Sequence, residues 1–327
     1  MKRSFKIAAR YSEKNDLTIT RRHCIQFLRA IPDNAAQLVF TSPPYNLGKV
    51  YEPRTTIDEY VSFQDDVIAE CARIVRPGGS ICWQVGTYVA ERGDLFPLDI
   101  LLYGLFAKQP SFRLRNRVIW YFEHGEHCRN RLSGRHECIL WWSKGDDYLF
   151  NLDAIRVPQK YPGKRSYRGP NRGRPSGNPR GKNPGDVWSI PNVKGNHVEK
   201  TSHPCQFPIA LAEYFVLALT NTHDLVVDPF LGSGTTAIAS LRNCRRAAGS
   251  DINPEYIEIA RGRVRSLERG HLPYRDRAKS IYVPLPNSPL TVPPEHFVEG
   301  NGGRAHHFSS ARKTLRADSN LYVSSSR

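Results

Sequence analysis

The order of strand-like and helix-like segments along the 327 residues predicts an α/β fold, a doubly wound, mostly parallel sheet with an antiparallel edge. Three observations carry that expectation. The apolar run Asp224-Leu-Val-Val-Asp228 reads as a buried strand, then turns through Gly232 and Gly234 into a helical stretch, Thr235–Cys244. A second strand, Gln37-Leu-Val-Phe-Thr41, runs straight into the paired prolines Pro43 and Pro44. Val118–Tyr121 and Glu137–Trp142 flank a polar loop as an antiparallel pair.

The remaining elements follow in order. Leu17–Thr20 is a short strand and Ile25–Ala30 a short helix. Ile57–Val75 carries Tyr60, Phe63, Val67, Ile68, Cys71, Ile74 and Val75 near helical spacing, and Pro77-Gly78-Gly79 stops it. Ser80–Val85 resumes as a strand. Phe207–Leu219 is a helix, Leu225–Asp228 and Arg246–Asp251 are strands, and a helix runs from Pro254 to about Leu267. The expected segments are 1–153 and 201–270 as two halves of the fold, 154–200 as a basic loop between them, and 271–327 as a poorly ordered Pro-, Ser- and Arg-rich tail.

Glycines at a strand-to-helix turn let the backbone approach a ligand, and the helix start offers free N–H groups to an anion. That makes Gly232 and Gly234 a ligand turn. Ser42-Pro43-Pro44-Tyr45 is a stiff, aromatic-ended rim at the mouth of another strand. The net charge of +16 and pI near 9.7 suit a polyanionic partner. Between Ala154 and Gly185 stand Arg156, Lys160, Lys164, Arg165, Arg168, Arg172, Arg174, Arg180 and Lys182, with no acidic residue and with Tyr161 and Tyr167 interleaved. A solvated linker is the plain reading. A nucleic-acid arm is favoured, because a one-sign segment repels itself without a polyanion.

Asp99 and Glu213 interrupt the apolar runs Leu95–Ala107 and Phe207–Thr220, so neither is expected to cross a membrane. The N-terminus lacks the apolar stretch of a signal peptide, and seven scattered cysteines suit a reducing compartment. The expected location is cytoplasmic. His124, His127, Cys128, His136 and Cys138 do not repeat the spacing of a zinc site, so no metal is expected. Gly232-Ser-Gly234-Thr-Thr236 lacks the third glycine of a nicotinamide-binding turn.

Together, Ser42-Pro43-Pro44-Tyr45 and Asp228-Pro229-Phe230-Leu231-Gly232-Ser233-Gly234 resemble the signature of the DNA amino-methyltransferases, in the motif order of the permuted beta group. The similarity runs from about Leu17 to about Arg265. It implies a Rossmann-like methyltransferase fold, S-adenosylmethionine as cofactor and double-stranded DNA as partner, and it leaves open a functionally linked restriction endonuclease. It also implies roles. The Ser42 hydroxyl and Pro43 carbonyl accept hydrogen bonds from an exocyclic amine, Pro44 stiffens the rim, and Tyr45 stacks on a base flipped from the duplex. Asp228 opens the cofactor turn, Phe230 lies against the adenine, and Gly232 and Gly234 admit the methionine portion.

Asp251 stands 19 residues after Gly232, the distance at which a second-strand carboxylate reaches ribose hydroxyls. His203, Pro204, Gln206 and Pro208 resemble the family's segment before the cofactor strand, which makes Thr201 or Ser202 a cofactor contact. Where relatives carry an Asp, this chain has His23. Either its neutral ring accepts the same hydrogen bond or that contact is absent. A serine at the head of the tetrad points to cytosine N4 as the acceptor, with adenine N6 the runner-up and a DNA-binding relative without turnover a third reading. Cys205 follows a proline as in the cytosine-carbon enzymes, yet no Glu-Asn-Val partner occurs, so it reads as a small filler.

Overall fold

The computed structural model describes residues 4–279 apart from 47, 49–53, 91–92 and 126. In chain order the elements are β1 (Ile7–Ala8), β2 (Leu17–Arg21), α1 (Cys24–Leu28), β3 (Ala36–Thr41), α2 (Ile57–Ile74), β4 (Val75–Val85), β5 (Thr87–Val89), β6 (Leu95–Pro97) and α3 (Leu98–Ala107). They continue with β7 (Phe112–Tyr121), β8 (His136–Lys144), α4 (Leu152–Ile155), β9 (Val187–Ser189), α5 (Ile209–Leu219), β10 (Leu225–Asp228), α6 (Thr235–Arg242), β11 (Arg246–Asp251) and α7 (Pro254–Glu268).

Nine strands form one sheet in the order β1-β2-β11-β10-β3-β4-β8-β7-β9. All neighbours are parallel except β4 with β8 and β7 with β8. This is the expected doubly wound sheet with its antiparallel part. Segments 1–153 and 201–270 both feed it, since β11 and β10 lie between β2 and β3. From β3 the chain moves one way, to β4. From β10 it moves the other way, to β11. Adjacent strands β3 and β10 are therefore a switch point, and loops leaving their carboxyl ends flank a crevice.

Period-two alternation divides the core into two layers. Leu38, Phe40, Cys82, Val226 and Ala247 face α5, α6 and α7, whereas Val39, Ile81, Trp83, Val227 and Ala248 face α1, α2 and α3. Burial on both faces explains why these strands read as continuous apolar runs. Trp83, Phe106 of α3 and Trp142 of β8 pack as an aromatic block, with Phe106 stacked on Trp142 at 5.3 Å.

Local chemistry sets the ends. Thr56 and Glu59 form a capping box on α2, and Asn253 caps α7 just before Pro254. The strand after α2 begins at Val75 rather than at the expected Ser80, because Gly78 (φ 76°) and Gly79 carry an irregular start past Gln37. A Cβ at Gly79 would fall 2.8 Å from the Gln37 carbonyl oxygen. No helix among the described residues is long and apolar enough to cross a membrane.

The basic stretch is more ordered than the expected loose arm. Val157 bridges Lys182, and Arg165 bridges Pro175. Bonds from Ser176 N–H to the Lys164 carbonyl and from Ser166 N–H to the Arg174 carbonyl, both 2.9 Å, make it an irregular hairpin. It re-enters the sheet as edge strand β9, where Trp188 packs on Tyr214 and Phe215. The expected disorder of the tail concerns residues that, beyond 279, lie outside those described.

Candidate active site

Thr41 ends β3 and Asp228 ends β10, and the Thr41 hydroxyl donates to Asp228 Oδ1 at 2.6 Å. This buried bond joins the two motifs across 187 residues of sequence. The Phe230 N–H also donates to Asp228 Oδ1, at 3.1 Å. Burial pushes the Asp228 carboxyl up to about 6, against the pull of Thr41, Thr236 and the Phe230 N–H. Asp228 is thus a structural node that starts the glycine turn.

Backbone geometry builds that turn. Gly232 has φ 49°, and Gly234 has φ 79° at the N-cap of α6. The Gly232 N–H donates to Asp251 Oδ2 and the Asn253 N–H to Oδ1, both at 2.9 Å, so the carboxylate expected at the ribose also fastens the turn. A Cβ at Gly232 would lie 2.9 Å from His203 Nε2. One at Gly234 would lie 2.9 Å from the Ala260 Cβ, so this second glycine serves the packing of α6 on α7. Behind the turn, buried Arg263 donates to the Ser233 carbonyl (2.9 Å) and the Thr235 hydroxyl (3.0 Å) and faces Glu199 at 4.0 Å. Burial pushes its guanidinium down to about 10.

His203 closes over the turn. Its ring packs on Tyr256 at 4.3 Å, and its Nδ1 accepts the Cys205 N–H at 3.3 Å. Burial, with Lys200 and Arg263 nearby, brings its pKa down to about 4, so the ring is neutral at pH 7. Thr201 is committed locally, donating to Gln206 Oε1 (2.8 Å) and accepting the His203 N–H (3.2 Å). Of the two expected hydroxyl contacts, Ser202 is the exposed one.

Aromatic rings gather around Phe230 on the other side of the turn. Phe230 meets Phe63 of α2 at 6.2 Å and Trp83 at 6.5 Å, and Phe63 meets His23 at 5.9 Å. His23 is exposed at the start of α1, and its side chain does not cap that helix. Phe63 is legible in the sequence only as a helix-face residue; its place here comes from packing.

Side chains hold the rim. The Tyr45 hydroxyl donates to Glu137 Oε2 at 2.9 Å and lies 3.0 Å from Ser42 Oγ, which leaves the serine as donor to the tyrosine oxygen. Gln84 Nε2 also donates to Glu137 Oε2, at 2.8 Å. The Tyr45 ring lies against Gly86, where a Cβ would sit 3.2 Å from Cε2. Asn46 (φ 60°) ends the rim, its side-chain amide pairing with the Thr55 carbonyl and N–H, each at 2.8 Å. Pro43 is buried and Pro44 half-buried. Glu137 and Gln84 escape the sequence reading, because only the register of β8 against β4 brings them to Tyr45.

On the arm, Lys160, Lys164, Arg165, Arg168, Arg172 and Arg174 are exposed, as are Tyr161 and Tyr167. Arg156 is not available in the same way. It binds Asp153 at 2.5 Å and the Gly181 carbonyl at 3.0 Å, so it braces the base of the hairpin instead of presenting a charge. Among the described residues no three His, Cys, Asp or Glu side chains converge as a metal site.

The sequence model of the DNA methylase family that groups N6 and N4 enzymes matches residues 36–262, from β3 through most of α7. The chain belongs to this family. A relative in the family is the type II methyltransferase M.BglII of Bacillus subtilis, 47% identical over 236 residues, covering 72% of this chain. The match spans 65% of M.BglII, just under two thirds of its length. The PvuII cytosine-N4-specific DNA methyltransferase shares the fold, with a TM-score of 0.62 at 20% identity over 75% of this chain and 85% of its own. TTHA0409 of Thermus thermophilus, solved with S-adenosyl-L-methionine, is 26% identical with a TM-score of 0.53, covering 79% of this chain and 98% of its own.

Proposed function

We propose that the chain moves a methyl group from S-adenosylmethionine to the exocyclic N4 of cytosine in double-stranded DNA. The observation that carries this reading is the Thr41–Asp228 bond, which sets an acceptor-bearing rim and a glycine turn side by side at the switch point.

The residues present fit the cofactor. Phe230, Phe63 and His23 would hold the adenine, Asp251 the ribose, and the backbone of Gly232 to Gly234 with Ser202 the methionine end. When bound, the cofactor supplies a methyl already activated on a sulfonium, so no covalent enzyme intermediate is required. The neutral His203 ring brings no cation to this turn.

The amine of a base is a poor nucleophile, because its lone pair is delocalised into the ring. Ser42 Oγ and the Pro43 carbonyl would accept its N–H bonds and hold the nitrogen in line, a matter of orientation and preorganised acceptors. Tyr45, its hydroxyl already fixed by Ser42 and Glu137, would retain the base after it leaves the duplex. Lys160, Lys164, Arg165, Arg168, Arg172 and Arg174 would contact phosphates, with Tyr161 and Tyr167 among them.

Serine at the head of the tetrad supports cytosine. Incubating DNA and labelled donor with the protein, then separating the nucleosides, tests the reading. Label in N4-methylcytosine is the expected result. Label in N6-methyladenine would move the substrate to adenine and keep the mechanism. Label in 5-methylcytosine would make Cys205 the nucleophile and discard the tetrad's role.

A further inference from the structure

After methyl transfer the amine nitrogen carries a positive charge and must lose a proton. A serine hydroxyl that accepts one must pass its own on. In this chain the next two oxygens are in place: Ser42 Oγ is 3.0 Å from the Tyr45 hydroxyl, and that hydroxyl is 2.9 Å from Glu137 Oε2. The donor directions run one way. Tyr45 donates to the carboxylate, so Ser42 donates to Tyr45, and the lone pairs of Ser42 are left to accept from a substrate.

We infer that Ser42, Tyr45 and Glu137 form a proton relay, in which the Glu137 carboxylate is the final acceptor of the amine proton. This rests on the methyl-transfer reading above. The nitrogen lone pair forms the N–C bond as the methyl–sulfur bond breaks and its electron pair returns to sulfur, leaving a neutral thioether. One N–H proton then goes to Ser42 Oγ, the Ser42 proton to the Tyr45 oxygen, and the Tyr45 proton to Glu137 Oε2. Both hydroxyls end neutral, and the carboxylic acid later yields its proton to water.

The surroundings favour Tyr45 as a conduit rather than a base. Burial holds its phenol well above the ordinary range, and the Glu137 charge adds to that effect. Gln84 Nε2 shares the same Glu137 oxygen at 2.8 Å and fixes its orientation, while Gly86 leaves room for the tyrosine ring. The other titratable groups nearby are Cys205, whose charge would act on Tyr45, and Cys138, next to Glu137 on β8. Cys138 stays protonated, its thiol pushed up to about 12 by burial beside the Asp99–Arg117 pair.

Glu137→Gln separates relay from support, because an amide oxygen still accepts the Tyr45 hydrogen bond but takes no proton. The first readout needs no cofactor. With ring-carbon-labelled tyrosine, and Tyr45→Phe to assign the signal, NMR titration should show the Tyr45 phenol ionising at lower pH in Glu137→Gln than in wild type.

The second readout is the single-turnover methylation rate against pH. Wild type should lose rate on acidification. Glu137→Gln should run roughly 10²-fold slower at neutral pH, without that acid limb. Tyr45→Phe should match it, and the double variant should be no slower than either single. A fluorescent base analogue at the target position checks that base extrusion persists in Glu137→Gln. A wild-type rate with the acid limb intact in Glu137→Gln overturns the relay while leaving methyl transfer standing. An unmoved Tyr45 titration overturns the contact itself. Wild-type protein that transfers no methyl at all overturns both readings.

Discussion

The two turns at the switch point are built by opposite means. The glycine turn after β10 is fixed by backbone: two glycines at positive φ, an Asp251 carboxylate on a glycine N–H, and neighbours so close that a Cβ at Gly232 or Gly234 would lie 2.9 Å from the His203 ring or the Ala260 Cβ. The rim after β3 is fixed by side chains: prolines, the Ser42–Tyr45–Glu137 chain and the Asn46–Thr55 pair. A backbone device fails as a unit when one atom is added. A side-chain device loses one hydrogen bond at a time and keeps its shape. That difference would suit a rigid cofactor cradle beside a rim whose acceptors are preorganised by separate side-chain bonds.

The comparison breaks most severely at Gly232. In Gly232→Val a branched side chain must occupy φ 49° against His203, a conformation that costs about 1–3 kcal/mol of stability. Calorimetry should show no detectable S-adenosylmethionine binding. Unchanged affinity would remove the turn from the cofactor site.

On the rim side the effect is confined to rate. Ser42→Ala should leave the fold and cofactor affinity intact while removing about 2–4 kcal/mol of transition-state stabilisation, read as kcat in a methylation assay. Wild-type turnover in this variant would make the tetrad structural.

Those two expectations are available from sequence, and so are the elements behind them. β10 and β11 have their expected ends, each closing on an aspartate, Asp228 and Asp251, and α7 starts where Pro254 allows it. The helix α3 reads only as an apolar run, because its exposed face also carries apolar side chains, Ile100 and Tyr103, and this blurs the helical period. The edge strand β9 is too short for alternation to register, and its partner β7 lies far earlier in the chain. The site divides along the same line. Ser42, Tyr45, Phe230 and Gly232 stand in contiguous motifs, whereas Phe63, Gln84, Glu137 and Arg263 reach the site only through packing and strand register. Local sequence carries no trace of that.

A smaller, pH-dependent effect sharpens the backbone side. His203 has its pKa held down to about 4 from an ordinary 6.5, so its contribution to stability is present above pH 6.5 and lost as pH falls through 4. Asp228, raised to about 6 from 3.8, acts in the opposite sense: its contribution is present below 3.8 and lost as pH rises through 6. Relative to wild type, His203→Gln should therefore gain stability between pH 6.5 and 4, by up to about 3 kcal/mol. Urea unfolding at pH 7 and pH 4.5 measures it. A pH-independent difference would contradict the buried neutral ring.

The smallest change belongs to the arm. Replacing Arg168 and Arg172 by alanine should lower the dependence of log DNA affinity on log salt by about 0.9 for each lost phosphate contact, with the melting temperature unchanged. Arg156→Ala should instead loosen the hairpin, because that side chain braces Asp153 and Gly181. Equal salt slopes in all three proteins would return the arm to a solvated linker.

The central claim, that the two turns act as one methyl-transfer site, is tested most directly by mass analysis of nucleosides from the DNA of cells expressing wild type, Ser42→Ala or Gly232→Val. N4-methylcytosine should appear with wild type alone. 5-methylcytosine in the wild-type sample, or the same mark persisting in both variants, would contradict the account.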